Sequence, residues 1–366
     1  MHLTGEVMGD SSVLIHHRVI VDAHQDIGYN AAFLGRDFLL SARELRARET
    51  SAPSDWGIPT VGFPEMEKAN VRVVIGSIWA AACDNPMGIL VQPCYKTPEE
   101  ANEQGQQQLS YYEKLADNPR IRIIANKREL DEVVRGEYRL GFVLSMEGAD
   151  PIVTPKQLHG WVQRGLRVVG LSHGKTRYAG GTKQPGPLTE LGRELLSEME
   201  HEHVILDTSH LAEESFFEAV DIFHGAVIAT HSNCRSLVPT DRQLSDDMIR
   251  AIVKRDGVIG VVLFNKFLTP DWEKMGRVKQ RVTLTHVVEH VKHMCEVAGD
   301  SEHIGIGSDL DGGFGSESIP AELDTIEDVP KIADALAANG FSEKQVDGMM
   351  GENWLRFLSR TLPRGS

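Results

Sequence analysis

Histidines and carboxylates recur in this chain at one kind of place, the end of a short apolar run. The first is Val19-Ile20-Val21-Asp22-Ala23-His24-Gln25-Asp26. Alternate residues of a strand point to the same face, so His24 and Asp26 can reach one metal ion from one strand end. The pattern then repeats. Glu147 follows the run 140–146, His173 the run 166–172, His210 the run 203–209, His231 the run 226–230 and Asp309 the run 303–308. Each alone has a plainer reading: a hydrogen-bonded strand-end histidine, a salt-bridged Glu147, an Asp309 that caps a turn. Together they make an imidazole and carboxylate set suited to zinc or another first-row divalent ion. Five ligands serve two ions if one carboxylate bridges, and such a pair can hold a hydroxide and polarise a carbonyl.

These side chains converge only if the strand ends do. Strands are predicted at 19–26, 71–79, 140–146, 166–172, 203–209, 226–230, 257–265 and 303–308. Helices are predicted at 41–48, 99–116, 190–201, 213–222, 246–255, 285–298, 326–338 and 342–358. Near-continuous apolar strands mark a sheet buried on both faces. Eight of them alternating with helices predict a single α/β domain, a (β/α)8 TIM-type barrel of the metal-dependent hydrolase kind. Its core would span residues 19–358, with 359–366 as a disordered tail. No sequence repeat points to a solenoid, and the Gly-rich phosphate fingerprint of an open dinucleotide-binding sheet is missing after the first strand. The segments 27–64 and 80–98 read as long loops over the barrel mouth, where specificity would lie.

Composition bounds the partners. With 38 basic against 53 acidic residues the net charge is −15, which argues against nucleic acid as a partner, since phosphate binding needs clustered Lys and Arg. The first twelve residues show no basic stretch followed by an apolar core, so no export signal is expected. No apolar run is long enough to span a bilayer, and the polar C-terminus carries no anchor signal. Cys83, Cys94, Cys234 and Cys295 form no C-x-x-C pair and are read as reduced thiols in a cytoplasmic protein. A homodimer is expected because two-fold dimers are the commonest soluble oligomers.

The motifs also carry a resemblance. The chain resembles the membrane dipeptidase (renal dipeptidase) family of binuclear zinc barrels over residues 19–357. The likeness rests on Asp22-Ala23-His24-Gln25-Asp26, Met146-Glu147-Gly148, Leu171-Ser172-His173, Leu206-Asp207-Thr208-Ser209-His210, Thr230-His231-Ser232, Asp241-Arg242, Gly307-Ser308-Asp309-Leu310-Asp311-Gly312 and Gly351-Glu352-Asn353-Trp354-Leu355-Arg356. It implies a dipeptidase that cleaves small dipeptides, with a D-residue allowed at the C-terminal position, using two Zn2+. It implies that His24 and Asp26 hold one metal, His210 and His231 the other, and that Glu147 bridges. His173 would contact the scissile carbonyl side, Arg242 the substrate carboxylate, and Asp309 would move protons at the tetrahedral intermediate. Arg235, four residues after His231, is the rival to Arg242.

The chain departs from the family in places. It reads Ala23-His24-Gln25-Asp26-Ile27-Gly28 where the family usually has Gly-His-Asn-Asp-Leu-Pro, and Gln243 follows the arginine in place of Asn. The segment 174–187 lacks the usual Trp-containing stretch, so Lys175, Arg177 and Tyr178 either line a side-chain pocket or decorate a lid. Another barrel metallohydrolase, acting on a lactone, an N-acyl amino acid or a phosphoester, is the alternative. Those of the amidohydrolase type favour H-x-H after the first strand, and here the triplet is H-x-D. A binding protein that has lost catalysis would lack ligands, and here none is missing.

Overall fold

The computed structural model describes residues 18–49, 56–85 and 91–365. The first twelve residues, on which the leader reading rests, lie outside them. Eight parallel strands follow the apolar runs: β1 (Ile20–Gln25), β2 (Val71–Trp79), β3 (Leu140–Glu147), β4 (Leu166–Gly170), β5 (Ile205–Asp207), β6 (Val227–Ile228), β7 (Ile259–Val261) and β8 (Ile304–Ile306). Pairing runs β6-β5-β4-β3-β2-β1-β8-β7, and the bridge Ala229↔Ile259 brings β6 against β7 to close the ring. The predicted TIM-type barrel is the fold. A further strand, Ile121–Ile123, pairs with the start of β3 outside the ring.

Strand alternation divides the core. Val21, Ala23, Val73, Ile75, Val143, Val168, Ile205 and Ile228 form one cluster with Trp354, Phe357 and Leu358 of the last helix. Ile20, Val74, Phe142, Leu144, Val169 and Leu206 join the surrounding helices in another. That last helix, Asn353–Thr361, runs past Leu358, the predicted end, and Leu362 beyond it is still buried.

Three predicted features are corrected. The residues after β1 form a helix, Ile27–Leu34, where a loop was expected. Its first four residues are all buried, so no polar face at helical spacing signals it. The segment 174–187 contains an antiparallel hairpin, Ala179–Gly181 with Gln184–Leu188, hidden by glycine and proline. Cys83 and Cys94 are joined in a disulfide, while Cys234 and Cys295 are free. A separation of eleven residues is no motif; the two cysteines meet because Ala81 and Ala82 pair with Cys94 and Tyr95. The cysteine count therefore does not favour a reducing compartment. Among the described residues no helix is long and apolar enough to cross a membrane.

Several buried polar contacts aim the strand ends. The Asp22 carboxylate accepts hydrogen bonds from Ser308 N–H at 2.8 Å, from the Ser308 hydroxyl, and from Gln25 Nε2 at 2.7 Å. It thus locks the end of β1 to the end of β8. Tyr112, from the helix Pro98–Leu115, accepts from Gly28 N–H at 3.2 Å and donates to the Ser77 carbonyl at 3.0 Å. On the far side, His290 of the helix Leu284–Ala298 is fully buried beneath the turn after β6. Its Nδ1 accepts from Cys234 N–H at 3.1 Å, and Nε2 lies 3.3 Å from the Leu268 carbonyl. Those bonds need a neutral ring, and burial pulls the His290 pKa down from 6.5 to about 4.

Two predictions follow from these braces. Asp22→Ala removes the acceptor of Ser308 N–H, the Ser308 hydroxyl and Gln25 Nε2, the last of which keeps Ser308 Oγ, and should cost about 3 kcal/mol, a fall of about 4 °C in melting temperature for a chain of this length; an unchanged melt would remove Asp22 from this role. For His290 the folded pKa is depressed, so its stabilisation is complete above pH 6.5 and drains away as pH falls towards 4. The loss reaches up to about 3 kcal/mol. His290→Gln should therefore lose less stability than the unmodified protein between pH 7 and pH 4.5 in urea titrations; equal losses would contradict the assignment.

Candidate metal centre

Each of these predicted site residues stands at or just beyond a strand end, and the barrel brings them to one mouth. His24 is in β1 and Asp26 follows it; Glu147 ends β3; His173, His210, His231 and Asp309 follow β4, β5, β6 and β8. Glu147 is at the centre. Its Oε1 lies 3.0 Å from His210 Nε2 and 3.2 Å from His231 Nε2. Its Oε2 lies 3.5 Å from His24 Nε2. That nitrogen is also 3.8 Å from Asp26 Oδ2 and 3.8 Å from Asp309 Oδ1. The His24 and His231 rings stack at 3.6 Å, and His173 stacks on His210 at 4.3 Å. Backbone strain accompanies this convergence: His210 and Asp309 hold left-handed φ values of 66° and 59°, rare for residues with a Cβ and concentrated at functional sites.

The electrostatics divide the imidazoles: burial pulls His24 down, but the Glu147 and Asp26 carboxylates outweigh it and raise its pKa well above the ordinary value. Burial pushes the Glu147 carboxyl up, but the His24 charge and the close His210 and His231 rings outweigh it and hold the pKa well below the usual range. Burial, with the nearby Arg242 charge, keeps His210 and His231 well below the ordinary imidazole value. Both are neutral, as metal ligands must be. His173 is also lowered by burial, against the pull of Glu147. Asp309 goes the other way: burial, helped by Asp26 and Glu147, raises its pKa well above the ordinary value.

The donor set can be tested for fit to a cation. The Thr230 hydroxyl donates to Asp207 and stands 2.8 Å from His231 Nδ1. Its one proton is committed, so it accepts from Nδ1–H, and the His231 Nε2 lone pair points inward. There it meets His210 Nε2 at 3.0 Å and the Glu147 carboxylate. Across the carboxylate, buried His24 Nε2 has no hydrogen-bond partner. Three groups of inward ligand atoms result: His24, Asp26 and Glu147; Glu147, His173 and His210; and His24, His231 and Asp309. Imidazole nitrogens and carboxylate oxygens packed this closely suit zinc or a similar ion.

The two arginines occupy different surroundings. Arg242 is buried at the site, donating to the His231 carbonyl at 2.6 Å and the Ser232 hydroxyl at 3.0 Å, with Nε unpartnered. Arg235 is tied to the Glu213 carboxylate and the Gln243 carbonyl. Arg177 and Tyr178 are structural: Arg177 braces Asp150 at 3.1 Å, and the Tyr178 hydroxyl donates to the Ile152 carbonyl. Lys175 alone of that trio lines a small pocket beside His173, with Ala80, Ala81, Asn85 and Tyr95. Sequence reasoning missed Ser77, whose hydroxyl donates to Asp26, and Trp79, which sets its ring edge-on to His173 at 5.2 Å. Both lie on one face near the end of β2, and that shared strand-end position was the available signal.

Comparison with known proteins is consistent with this geometry. A sequence profile of the membrane dipeptidase family, peptidase family M19, matches residues 9–362. Dipeptidase tcpJ of Claviceps purpurea is 30% identical over 240 residues, 62% of this chain and 53% of that protein. A protein from the pqqA 5′ region of Klebsiella pneumoniae is 29% identical over 65% of this chain and 88% of its own length. Among solved structures, a metallopeptidase of Rhodobacter sphaeroides, liganded with a phosphinate mimic of L-Ala-D-Ala, superposes with a TM-score of 0.76 at 23% identity, covering 93% of this chain and 99% of that one. That last likeness concerns the fold. On the strength of the family match, which spans nearly the whole chain, the protein belongs to the membrane dipeptidase family, peptidase family M19, a family of peptide-bond hydrolases.

Proposed function

We propose that the protein is a binuclear zinc dipeptidase that hydrolyses small dipeptides and accepts a D-residue at the C-terminal position. The observation that carries this reading is the division of Glu147, one oxygen facing His24 and the other facing His210 and His231. His24 and Asp26 would hold one ion, His210 and His231 the second, and Glu147 both. The bound pair would supply a nucleophile at neutral pH and polarise the scissile carbonyl. The Rhodobacter relative's complex with an L-Ala-D-Ala mimic supports a dipeptide substrate and the D-residue.

The chain's own side chains would do the rest. Arg242, buried and with a free Nε–H, would hold the substrate's C-terminal carboxylate by charge-assisted hydrogen bonds. His173, neutral and able to donate one N–H, would stabilise the oxyanion as the carbonyl carbon becomes tetrahedral. Asp309 would take a proton from the attacking water and pass it to the amine nitrogen as the C–N bond breaks.

Zinc content per chain, measured beside hydrolysis of L,L- and L,D-dipeptides before and after chelation, tests the reading. The expected result is two ions, cleavage abolished by chelator, and recovery on adding zinc. Two ions without cleavage of any dipeptide would move the substrate class to lactones, N-acyl amino acids or phosphoesters; absence of bound metal after reconstitution would overturn the site. Asp309→Asn should lower kcat about 100-fold or more with zinc content unchanged. Arg242→Ala should act mainly on KM, and a kcat effect alone would deny it the carboxylate.

A further inference from the structure

The two sides of Glu147 are supported differently. On the Oε1 side each imidazole has a hydroxyl behind it. Thr230 Oγ1 stands 2.8 Å from His231 Nδ1, and Thr182 Oγ1 stands 3.1 Å from His210 Nδ1. On the Oε2 side, buried His24 Nδ1 has no partner, and Asp26 is held through a carboxylate oxygen by Ser77.

Both threonines are themselves fixed. Thr230 donates to Asp207 Oδ2, while Asp207 Oδ1 accepts from Thr230 N–H at 2.9 Å and Ser209 N–H at 3.0 Å. A carboxylate, a hydroxyl and an imidazole therefore stand in series from the end of β5 to the ligand after β6. Thr182 stands between the paired strands of the hairpin, and its N–H donates to the His173 carbonyl at 3.0 Å. The next residue, Lys183, donates its N–H to Asp241 Oδ2 at 2.6 Å. The hairpin is thus pinned on both sides of the position where Thr182 reaches His210.

We propose that Thr182 and Thr230, the latter backed by Asp207, are positioning residues that set the affinity of one metal position, the one on the His210 and His231 side of Glu147. This rests on the binuclear reading above. The Thr230 hydroxyl, its proton given to Asp207, accepts from His231 Nδ1–H and so fixes the tautomer that presents Nε2 to the metal, and the Thr182 hydroxyl holds the His210 ring against rotation; such supporting contacts are worth about 10–100-fold in metal affinity. The hydroxyls contact neither His24 nor Asp26, so the other position should not feel their loss.

The test is a zinc titration of metal-free protein against a competing chromophoric chelator, which needs no substrate. The unmodified chain should take up two ions. Thr230→Val and Thr182→Val keep side-chain shape and remove the hydroxyl; each should weaken one ion about 10–100-fold and leave the other at its original affinity. The double variant should weaken the same ion further and still hold one tightly. Thr230→Ser should restore the second ion, which a loss of packing would not allow. Unchanged affinities in both Val variants, or equal weakening of both ions, would overturn the proposal. An unmodified chain that binds zinc at no position would instead remove the binuclear reading and this inference with it.

Discussion

A buried carboxylate with imidazole nitrogens against both of its oxygens is the constraint from which the rest of this structure follows. Glu147 is 6% exposed, and His24 and His231 beside it are 1% exposed. Taking so many lone pairs from water is costly unless they share a positive partner. Arg242 is a buried cation that reaches this region, and two of its nitrogens are spent on the His231 carbonyl and Ser232. The fold answers by rigidity. Asp22 joins the ends of β1 and β8, Tyr112 and Ser77 join β1 and β2, and Asp207 joins β5 to β6. Each brace is one side chain linking neighbouring strand ends, so the ligand array is held at several points around the ring.

The mouth above is built by longer-range contacts. Asp311, following β8, accepts from Thr60 N–H at 2.7 Å, the Thr60 hydroxyl at 2.6 Å and Val61 N–H at 3.1 Å. This docks the chain before β2 onto the chain after β8. On the other side Asp150 accepts from the Tyr95 hydroxyl and from Arg177, so the disulfide-bonded segment, the loop after β3 and the hairpin approach share one buried carboxylate. These walls are held by side chains other than those that converge at the strand ends. The ligand-bearing strand ends and the walls around them are therefore separate parts of the chain.

That separation explains what could be read from sequence. Strand ends were legible because burial on both faces makes each strand an apolar run, and a histidine or acid that ends one stands out. His24, Asp26, Glu147, His173, His210, His231 and Asp309 were all visible in this way. Their supports were not. Ser77, Asp207 and Thr230 are ordinary strand residues whose partners lie on a different strand, and Thr182 sits in a segment whose glycines and prolines masked a hairpin. The helix Ile27–Leu34 showed no polar face at helical spacing because its whole first turn is buried. The Cys83–Cys94 bond depended on a two-residue pairing that no local pattern announces.

One packing detail limits how such a site can change. The Thr230 carbonyl lies so close to Gly260 of β7 and to Gly307 beyond β8 that a Cβ on either would stand 1.9 or 1.8 Å from it. Three neighbouring strands thus meet backbone to backbone directly beneath His231, with no room for a side chain to vary. The barrel beneath His231 is set at that point by main-chain geometry. A side chain can be added at neither glycine without moving the backbone of a neighbouring strand end, so this part of the barrel cannot be adjusted one methyl group at a time.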